Sequence, residues 1–412
     1  MSLSNITLSS SVRQNLLSLQ STADLLSTTQ TRLATGKKVN SALDNPTNFF
    51  TASGLDARAS DIGNLLDSIG NGVQVLQAAN TGITSLSKLV DTAKSIANQA
   101  LQQPGGYSTK ASLLTDAPAS GVAGTATDLT AGGTNGLQTK TLVFKTSATA
   151  TTTLTLSNVA GAGNVNSIDA INTALATAGV QLTASVGSTG AITFTSTNDA
   201  ASQTITKTGT YAAPGAGSST SVDISGTVGT TAAVSAAVVD VNSQNTRASL
   251  VAQYNQIIQQ ITTTAQDASF NGVNLLNGDT LKLVFNETGK STSTITGVTF
   301  NPNGLGLGSA TVGTDFIDNT ATNKVLTALN TASTTLRSQA SAFGANLSIV
   351  QIRQDFSKNL INVLQTGSSN LTLADSNEEA ANSQALSTRQ SIAVSALALA
   401  NQSNQSVLQL LR

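Results

Sequence analysis

Histidine, cysteine and tryptophan are absent from this 412-residue chain, which has 5 prolines and 1 methionine. Without His or Cys there is no Ser-His-Asp or Cys-His nucleophile pair, no zinc site built on imidazole or thiolate, and no disulfide. Charge is sparse too: Lys, Arg, Asp and Glu make up 10% of the residues, against about 25% in an average soluble domain. A net charge of -1 supplies no basic field for nucleic acid. Glu378 and Glu379 have no acid or base spaced with them and are expected to form a solvated or lumen-facing pair rather than a catalytic dyad. The composition therefore points away from an enzyme, and no metal or cofactor is expected. The start, Met1 to Ile6, has no basic segment leading into an apolar run, so no cleaved secretory signal is expected. The richest apolar stretch, Ile392 to Ala400, is about half the length that spans a bilayer, so no membrane insertion is expected.

What the chain does have is aliphatic and periodic. Hydrophobic residues reach 39% but aromatics only 3%, so Ala, Leu, Val and Ile must form the core. Prolines stand at 46, 104, 118, 214 and 302, leaving 1–45, 47–103 and 303–412 open to long helices. Leu16, Leu19, Ala23, Leu26 and Leu33 follow 3/4 spacing, and Gly36 then supplies a stop. A longer near-heptad stripe runs from Ile62 through Leu66, Ile69, Val73 and Leu76 to Ile83, Leu86, Val90, Ala93 and Ile96, which predicts a coiled-coil-like rod. The spacing recurs at Leu250, Tyr254, Ile257 and Ile261, and from Val325 through Leu329, Leu336 and Phe343 to Val350. It returns at Ala393, Leu397, Ala400, Asn404, Val407 and Leu411.

The middle reads differently. Between Pro104 and about Val241 the text is Gly, Ala, Ser and Thr with short alternating runs. Strands are predicted at Thr141–Lys145, Gln181–Val186 and Ala191–Ser196, the last two joined by a Gly187–Gly190 turn. A short helix fits between them, with Ser167 as its N-cap and Ile168, Ile171 and Leu175 on one face. A second strand-rich patch is expected from Leu281–Phe285 through Val298–Phe300. The fold class is mainly α with a β-rich insertion: a long helical rod from the N- and C-terminal segments, plus a β-rich outer domain.

The termini carry the least charge. Residues 1–36 hold Arg13, Asp24 and Arg32 alone; residues 367–412 hold Asp375, Glu378, Glu379, Arg389 and Arg412. Lightly charged helices with an apolar stripe bury only part of their surface by pairing with each other. Such ends either form a simple hairpin in a monomer or become ordered when many copies pack. A head-to-tail contact that does not close generates a helical filament. The residues proposed to carry inter-subunit packing are Leu16, Leu19, Leu26, Leu33, Ala393, Leu397, Ala400, Val407, Leu408 and Leu411.

Three segments carry a family resemblance. Leu33 to Pro46, running on into Asn71 to Asn80, resembles the N-terminal signature of bacterial flagellins, in a variant similar to alphaproteobacterial ones. Phe270 to Leu276 resembles their segment at the end of the second N-terminal rod helix, and Ile392 to Arg412 is similar to their C-terminus. The resemblance implies a structural filament subunit for motility, a helical homopolymer exported unfolded through the flagellar secretion channel to an extracellular flagellum. It also implies contacts with the flagellar cap, hook-junction proteins and an export chaperone at the C-terminal helix. Residues 1–41 and 367–412 would form inner core helices. Residues 42–103, 242–276 and 321–366 would form the rod domain, 277–320 its β-rich part or outer edge, and 104–241 a variable outer domain. The alternatives are a flagellin-like adhesin or ligand-binding surface protein, and a hook–filament junction protein.

Two departures stand out. The long insertion precedes Phe270–Val273, whereas the best-known flagellins place theirs after it. Members sensed by the vertebrate Toll-like flagellin receptor present a Gln-Arg-x-Arg-Glu patch and a Glu on the next helix. The matching positions here are Asp91, Thr92, Lys94, Ser95 and Gln253, which lack most of those charge-assisted contacts.

Overall fold

The computed structural model describes residues 10–118, 125–131, 136–229 and 233–410. Long helices dominate: α1 (Ser10–Thr35) and α2 (Pro46–Gln102) come first. A β-rich stretch follows, with β1 (Tyr107–Thr109), β2 (Ser112–Leu114), β3 (Thr141–Lys145), β4 (Thr151–Leu156) and β5 (Asn164–Val165). Helix α3 (Ile168–Thr177) leads into β6 (Leu182–Val186), β7 (Ile192–Ser196), β8 (Thr204–Thr206), β9 (Ser221–Gly226), β10 (Val234–Ser235) and β11 (Val238–Val239). Then come α4 (Val241–Asp267), β12 (Thr280–Val284), β13 (Thr292–Thr296), α5 (Asn319–Thr372) and α6 (Ser376–Leu410). The expected N-cap Ser167 does accept from the Ala170 amide, and Ile168, Ile171 and Leu175 are the buried residues of α3.

Two compact units divide the chain. The first comprises the described residues up to Val73, Lys282–Thr294, and those from Ser348 onward; the second comprises Gln74–Leu281 and Ile295–Leu347.

In the second unit β3 is the middle of a five-stranded sheet ordered β5-β4-β3-β9-β8, and β10-β2-β7-β6 forms a four-stranded one. Both contribute to one core: Leu142, Phe144, Leu154 and Ile224 from the first, Leu113, Ile192 and Phe194 from the second. Phe144 meets Phe194 edge to face at 5.3 Å. Helix α3 closes the core, and Asn172 clamps it to β6 by exchanging hydrogen bonds with the Ala184 backbone at 2.6 and 3.1 Å. Alternation in β3 places Leu142 and Phe144 inside, as the sequence pattern required.

The helical part of this unit follows the stripe read from sequence. Leu76, Ile83, Leu86, Val90, Ala93 and Ile96 on α2 are buried, as are Leu250, Tyr254 and Ile261 on α4, and Leu329, Leu336 and Phe343 on α5. Asn274 closes α4: its Nδ2 donates to the carbonyls of Ala265 and Gln266, both at 2.8 Å. The following Leu275 and Leu276 are fully buried. Gly82 is required here, because a Cβ at that position would stand 2.6 Å from both Ala268 and Leu276. One expected strand differs. β12 pairs with β13, not with Val298–Phe300. The Val298 and Phe300 amides instead donate to the carbonyls of Leu275 and Leu276 at 2.8 and 2.9 Å, so burial of Phe300 comes from the turn after α4 rather than from a hairpin.

The β-rich insertion leaves and rejoins the helices at a single junction. β1 and β11 pair there, and Asp240 caps α4 by accepting from the Asn242 amide. Arg247, about two turns further, is 1% exposed. Its guanidinium donates to the carbonyls of Gln103, Pro104 and Phe316 at 3.1, 3.0 and 2.8 Å, and to Asn319 Oδ1 at 3.1 Å. Asp318, fully buried, accepts from the Ser202 amide and hydroxyl, from the Ser219 hydroxyl, and from the Ala321 amide at the start of α5. Phe316 has φ +57°, an uncommon conformation for a bulky residue. Its ring packs against Tyr254 at 5.5 Å, which offsets the local strain.

Replacing Arg247 by Met keeps most of the volume but leaves buried carbonyls without donors. We expect a loss of about 3 kcal/mol in urea unfolding of this unit, with Lys at that position recovering only part. A loss under about 1 kcal/mol would show that water or rearrangement satisfies those carbonyls. Burial pushes the phenols of Tyr107 and Tyr254 up to about 12, helped by the charges of Asp318 and Asp315 respectively. Folding raises these values above the ordinary 10, so their contribution to stability is full below pH 10 and is lost as pH rises toward 12. Absorbance at 295 nm followed alongside circular dichroism tests this; tyrosinate forming at these two sites near pH 10 in an intact fold would contradict it.

Candidate assembly surface

Within the first unit α1 packs along α6. The inward positions of α1 repeat at 3/4 spacing: Val12, Thr22 and Thr29 are buried, and Asn15, Leu19 and Leu26 half-buried. On α6 the matching positions are Glu379, which is buried, and Ser383, Leu386, Gln390, Ala393, Leu397 and Ala400, which are half-buried. Threonine fits such a seam because its hydroxyl donates back to the helix: Thr22 Oγ1 reaches the Ser18 carbonyl at 2.8 Å, so that hydroxyl is not stranded by burial. The expected solvated pair at 378–379 is split. Glu378 is exposed, whereas Glu379 is 8% exposed and meets Arg32 at 3.4 Å.

The segment between α1 and α2 is held by its own side chains and by the α5–α6 joint. Lys38 donates to the Thr372 carbonyl at 2.8 Å, and Ala374 to that of Gly36 at 2.9 Å. Gly36 adopts φ +69°, the left-handed helix stop expected of it. Asp44 accepts from the Asn40 and Ser41 amides, and these backbone contacts hold its carboxyl below the usual carboxylate range. Asn45 caps α2 through the Asn48 amide at 3.0 Å, with Pro46 at the first helical position. α5 continues through 367 to Thr372, and Asp375 then caps α6 by accepting from the Asn377 amide at 2.9 Å.

Of the proposed packing residues, Leu19, Leu26, Ala393, Leu397 and Ala400 lie on the half-buried seam between α1 and α6, while Leu16 and Leu33 face outward. Val407 and Leu408 fall within α6, and Leu411 lies outside the described residues. Further apolar residues that the sequence reading passed over are exposed on the same helices: Leu17 and Leu25 on α1, Ile392, Val394 and Leu399 on α6.

A sharper feature lies on α5. In this unit α5 packs on α2 through Leu360, Ile361 and Leu364 against Leu55, Ala59 and Ile62. On another side, Ile349, Ile352, Phe356 and Val363 are 52%, 65%, 58% and 66% exposed. At about 100° per residue these four fall within about 60° of one another, a heptad-type seam with no partner among the described residues. The sequence carried the signal, since the 3/4 spacing is present, but one apolar stripe on a helix had already been assigned to the core. The tip of the β12–β13 pair is anchored nearby by Arg58 to Glu287 at 2.7 Å and by Arg353 over the Phe285 ring at 5.7 Å.

In the second unit Asp91, Thr92 and Ser95 on α2 and Gln253 on α4 are exposed. Lys94 is half-buried and held by Asp91 at 3.8 Å within its own helix. Among the described residues no group of three or more metal-ligating side chains comes together, and no helix is long and apolar enough to cross a membrane.

These features define a class: a long-helix protein with a β-rich insertion, whose terminal pair and α5 carry unpartnered apolar faces. The model of the bacterial flagellin N-terminal helical region matches residues 5–117, and that of the C-terminal helical region matches residues 326–411. The chain belongs to the bacterial flagellin family. It is 34% identical to flagellin FljM of Caulobacter vibrioides over 165 residues, 40% of this chain and 59% of that protein. It is 31% identical to a flagellin of Brucella melitensis over 170 residues, 39% of this chain and 60% of that protein. With flagellin A of Rhizobium meliloti it shares 31% identity over 112 residues, 27% of this chain and 26% of that protein. The chain thus spans about three fifths of the length of the first two relatives.

Proposed function

We propose that this chain is a structural subunit that assembles with copies of itself into the flagellar filament. The observation that carries this reading is the open seam of Ile349, Ile352, Phe356 and Val363 on α5. Fully burying a large aliphatic side chain is worth about 2 kcal/mol, so a row of four in a lightly charged chain strongly favours association. The lightly charged α1–α6 pair, with leucines on its outer side, supplies a second surface of the same kind. In the assembled state residues 1–41 and 367–412 line the filament interior, 42–103, 242–276 and 321–366 form the layer around it, and 104–241 faces outward. The subunit reaches its site through the flagellar export channel and adds beneath a cap, with hook-junction proteins at the base and an export chaperone on its C-terminal helix beforehand. The role asks for no catalysis, and neither an adhesin nor a junction protein explains two unpartnered seams as directly.

Salt-induced polymerisation of the purified full chain, followed by electron microscopy, tests this. Wild type forms long filaments. Ile352→Asp combined with Phe356→Asp raises the critical concentration about a hundredfold while leaving monomer melting unchanged. Deletion of 393–412 leaves a folded chain that does not polymerise. Filaments formed by the truncated chain, or none formed by wild type, would overturn the reading.

The same surface logic bears on innate sensing. Asp91, Thr92, Lys94, Ser95 and Gln253 present one lysine, already paired, where sensed relatives present arginines and glutamates. Purified monomer is therefore expected to activate reporter cells carrying the Toll-like flagellin receptor weakly or not at all, and potent activation refutes this.

A further inference from the structure

At the base of the β-rich insertion, wholly within the second unit, lies a cavity of about 490 Å³. Its walls come from the insertion, from α4 and from the loop before α5. That volume falls within the range of small-molecule sites. The lining has no Lys, Arg, Asp or Glu, so nothing in it would compensate a charge on a ligand, and a charged one would lose its hydration without return. Much of the wall is aliphatic, with Ile205, Ala248 and Ile317 among its residues.

Two glutamines stand among the polar residues of the wall, together with Asn245, Thr204 and Ser235. Gln203 is 2% exposed, and its Oε1 is buried without a hydrogen-bond partner. Leaving such an acceptor unmet costs about 1–3 kcal/mol. Gln244 commits its Nε2 to the carbonyls of Gly106 and Ile317, both at 3.2 Å, which turns its own carbonyl into a fixed acceptor. The Tyr107 hydroxyl donates to the Gly217 carbonyl at 3.0 Å, so it too has only acceptor capacity left. Asn245, Thr204 and Ser235 on the same wall add groups that can donate as well as accept, so the site offers neutral hydrogen-bonding partners of both kinds beside aliphatic ones.

We propose that this cavity binds a neutral amphiphile with a hydroxyl-rich head and a short aliphatic tail, of the alkyl-glycoside type. The head hydrogen-bonds with Gln244 and Asn245 and, once the Gln203 side chain turns, with the Gln203 carbonyl that is otherwise closed off, and the tail lies against Ile205, Ala248 and Ile317. This is a function separate from assembly. It needs only the second unit, and the filament reading stands or falls without it.

Calorimetric titration of the full-length monomer with n-hexyl glucoside, below the concentration at which it forms micelles, tests the assignment. Hexyl sulfate and hexyltrimethylammonium serve as charged counterparts with the same tail. The expected result is saturable one-site binding of the glucoside, at least tenfold tighter than either charged probe. Ile205→Trp and Ala248→Phe fill the cavity from opposite walls, and each abolishes that binding. Gln203→Leu weakens it about tenfold while raising the melting temperature, because an unmet buried acceptor has been removed; a glutamine with a purely structural role would lower it. Should one filled variant fail to fold, the other and Gln203→Leu still decide. Absence of saturable binding by wild type, equal binding of hexyl sulfate, or undiminished binding by a folded filled variant each overturns the proposal.

Discussion

One buried guanidinium does for the second unit what a sheet or a helix cannot do by itself. A β-rich insertion between two helices must leave and re-enter at neighbouring points, and the backbone at those points belongs to no regular ladder. Arg247 supplies donors to the carbonyls of Gln103, Pro104 and Phe316 together, so the end of α2, the body of α4 and the approach to α5 share one centre. Burial alone would disfavour the charge, and it does lower the guanidinium pKa; the nearby carboxylate of Asp318 acts in the opposite direction. Asp318 in turn fixes Ser202 and Ser219 of the insertion to the first turn of α5. The strands can vary in detail as long as this junction keeps its geometry, which is the condition an insertion must meet to change without disturbing the helices.

The scarcity of charge has a structural counterpart in threonine. A helix that is to bury a seam without large aromatics, and to stay soluble without many ions, needs side chains that tolerate both settings. Threonine does so by donating to the carbonyl one turn back, as at Thr22, Thr28, Thr31 and Thr35 along α1. At the buried Thr22 the methyl is then free to pack while the hydroxyl is already satisfied; Thr28, Thr31 and Thr35 make the same bond on the exposed side. The cost is a slight loss of helix propensity, and in lone helices of this composition it is tertiary packing that supplies most of the stability.

Much of the architecture was legible in the sequence because its signals are local. The heptad stripe from Ile62 to Ile96, the Ser167 cap, the alternation in Thr141–Lys145 and the Gly187–Gly190 turn all depend on residues within a few positions of each other. What escaped depends on distance. Arg247 reads as an ordinary charged residue on α4 until Gln103, Pro104 and Phe316 are brought to it from more than 60 residues away. Glu379 reads as half of a solvated pair until Arg32 arrives across 347 positions. Val298–Phe300 alternates like a strand, but its amides go to the turn after α4. The open seam on α5 was hidden for a different reason: periodicity says that a helix has apolar positions, not how many of its sides are covered.

That last distinction bears most directly on function. A helix with one apolar stripe needs one partner, and within the first unit α5 has it in α2. A second stripe, roughly a quarter turn round the helix from the first, is left uncovered among the described residues and carries a penalty in free solution, since contiguous exposed apolar surface invites aggregation. The penalty is tolerable where aggregation is the purpose and its geometry is controlled. Control here comes from the seam itself. Four side chains in heptad spacing accept a complementary ridge in one register far better than in others. Low charge, aliphatic bulk and long helices are in this sense one property, that of a surface made to meet another like it.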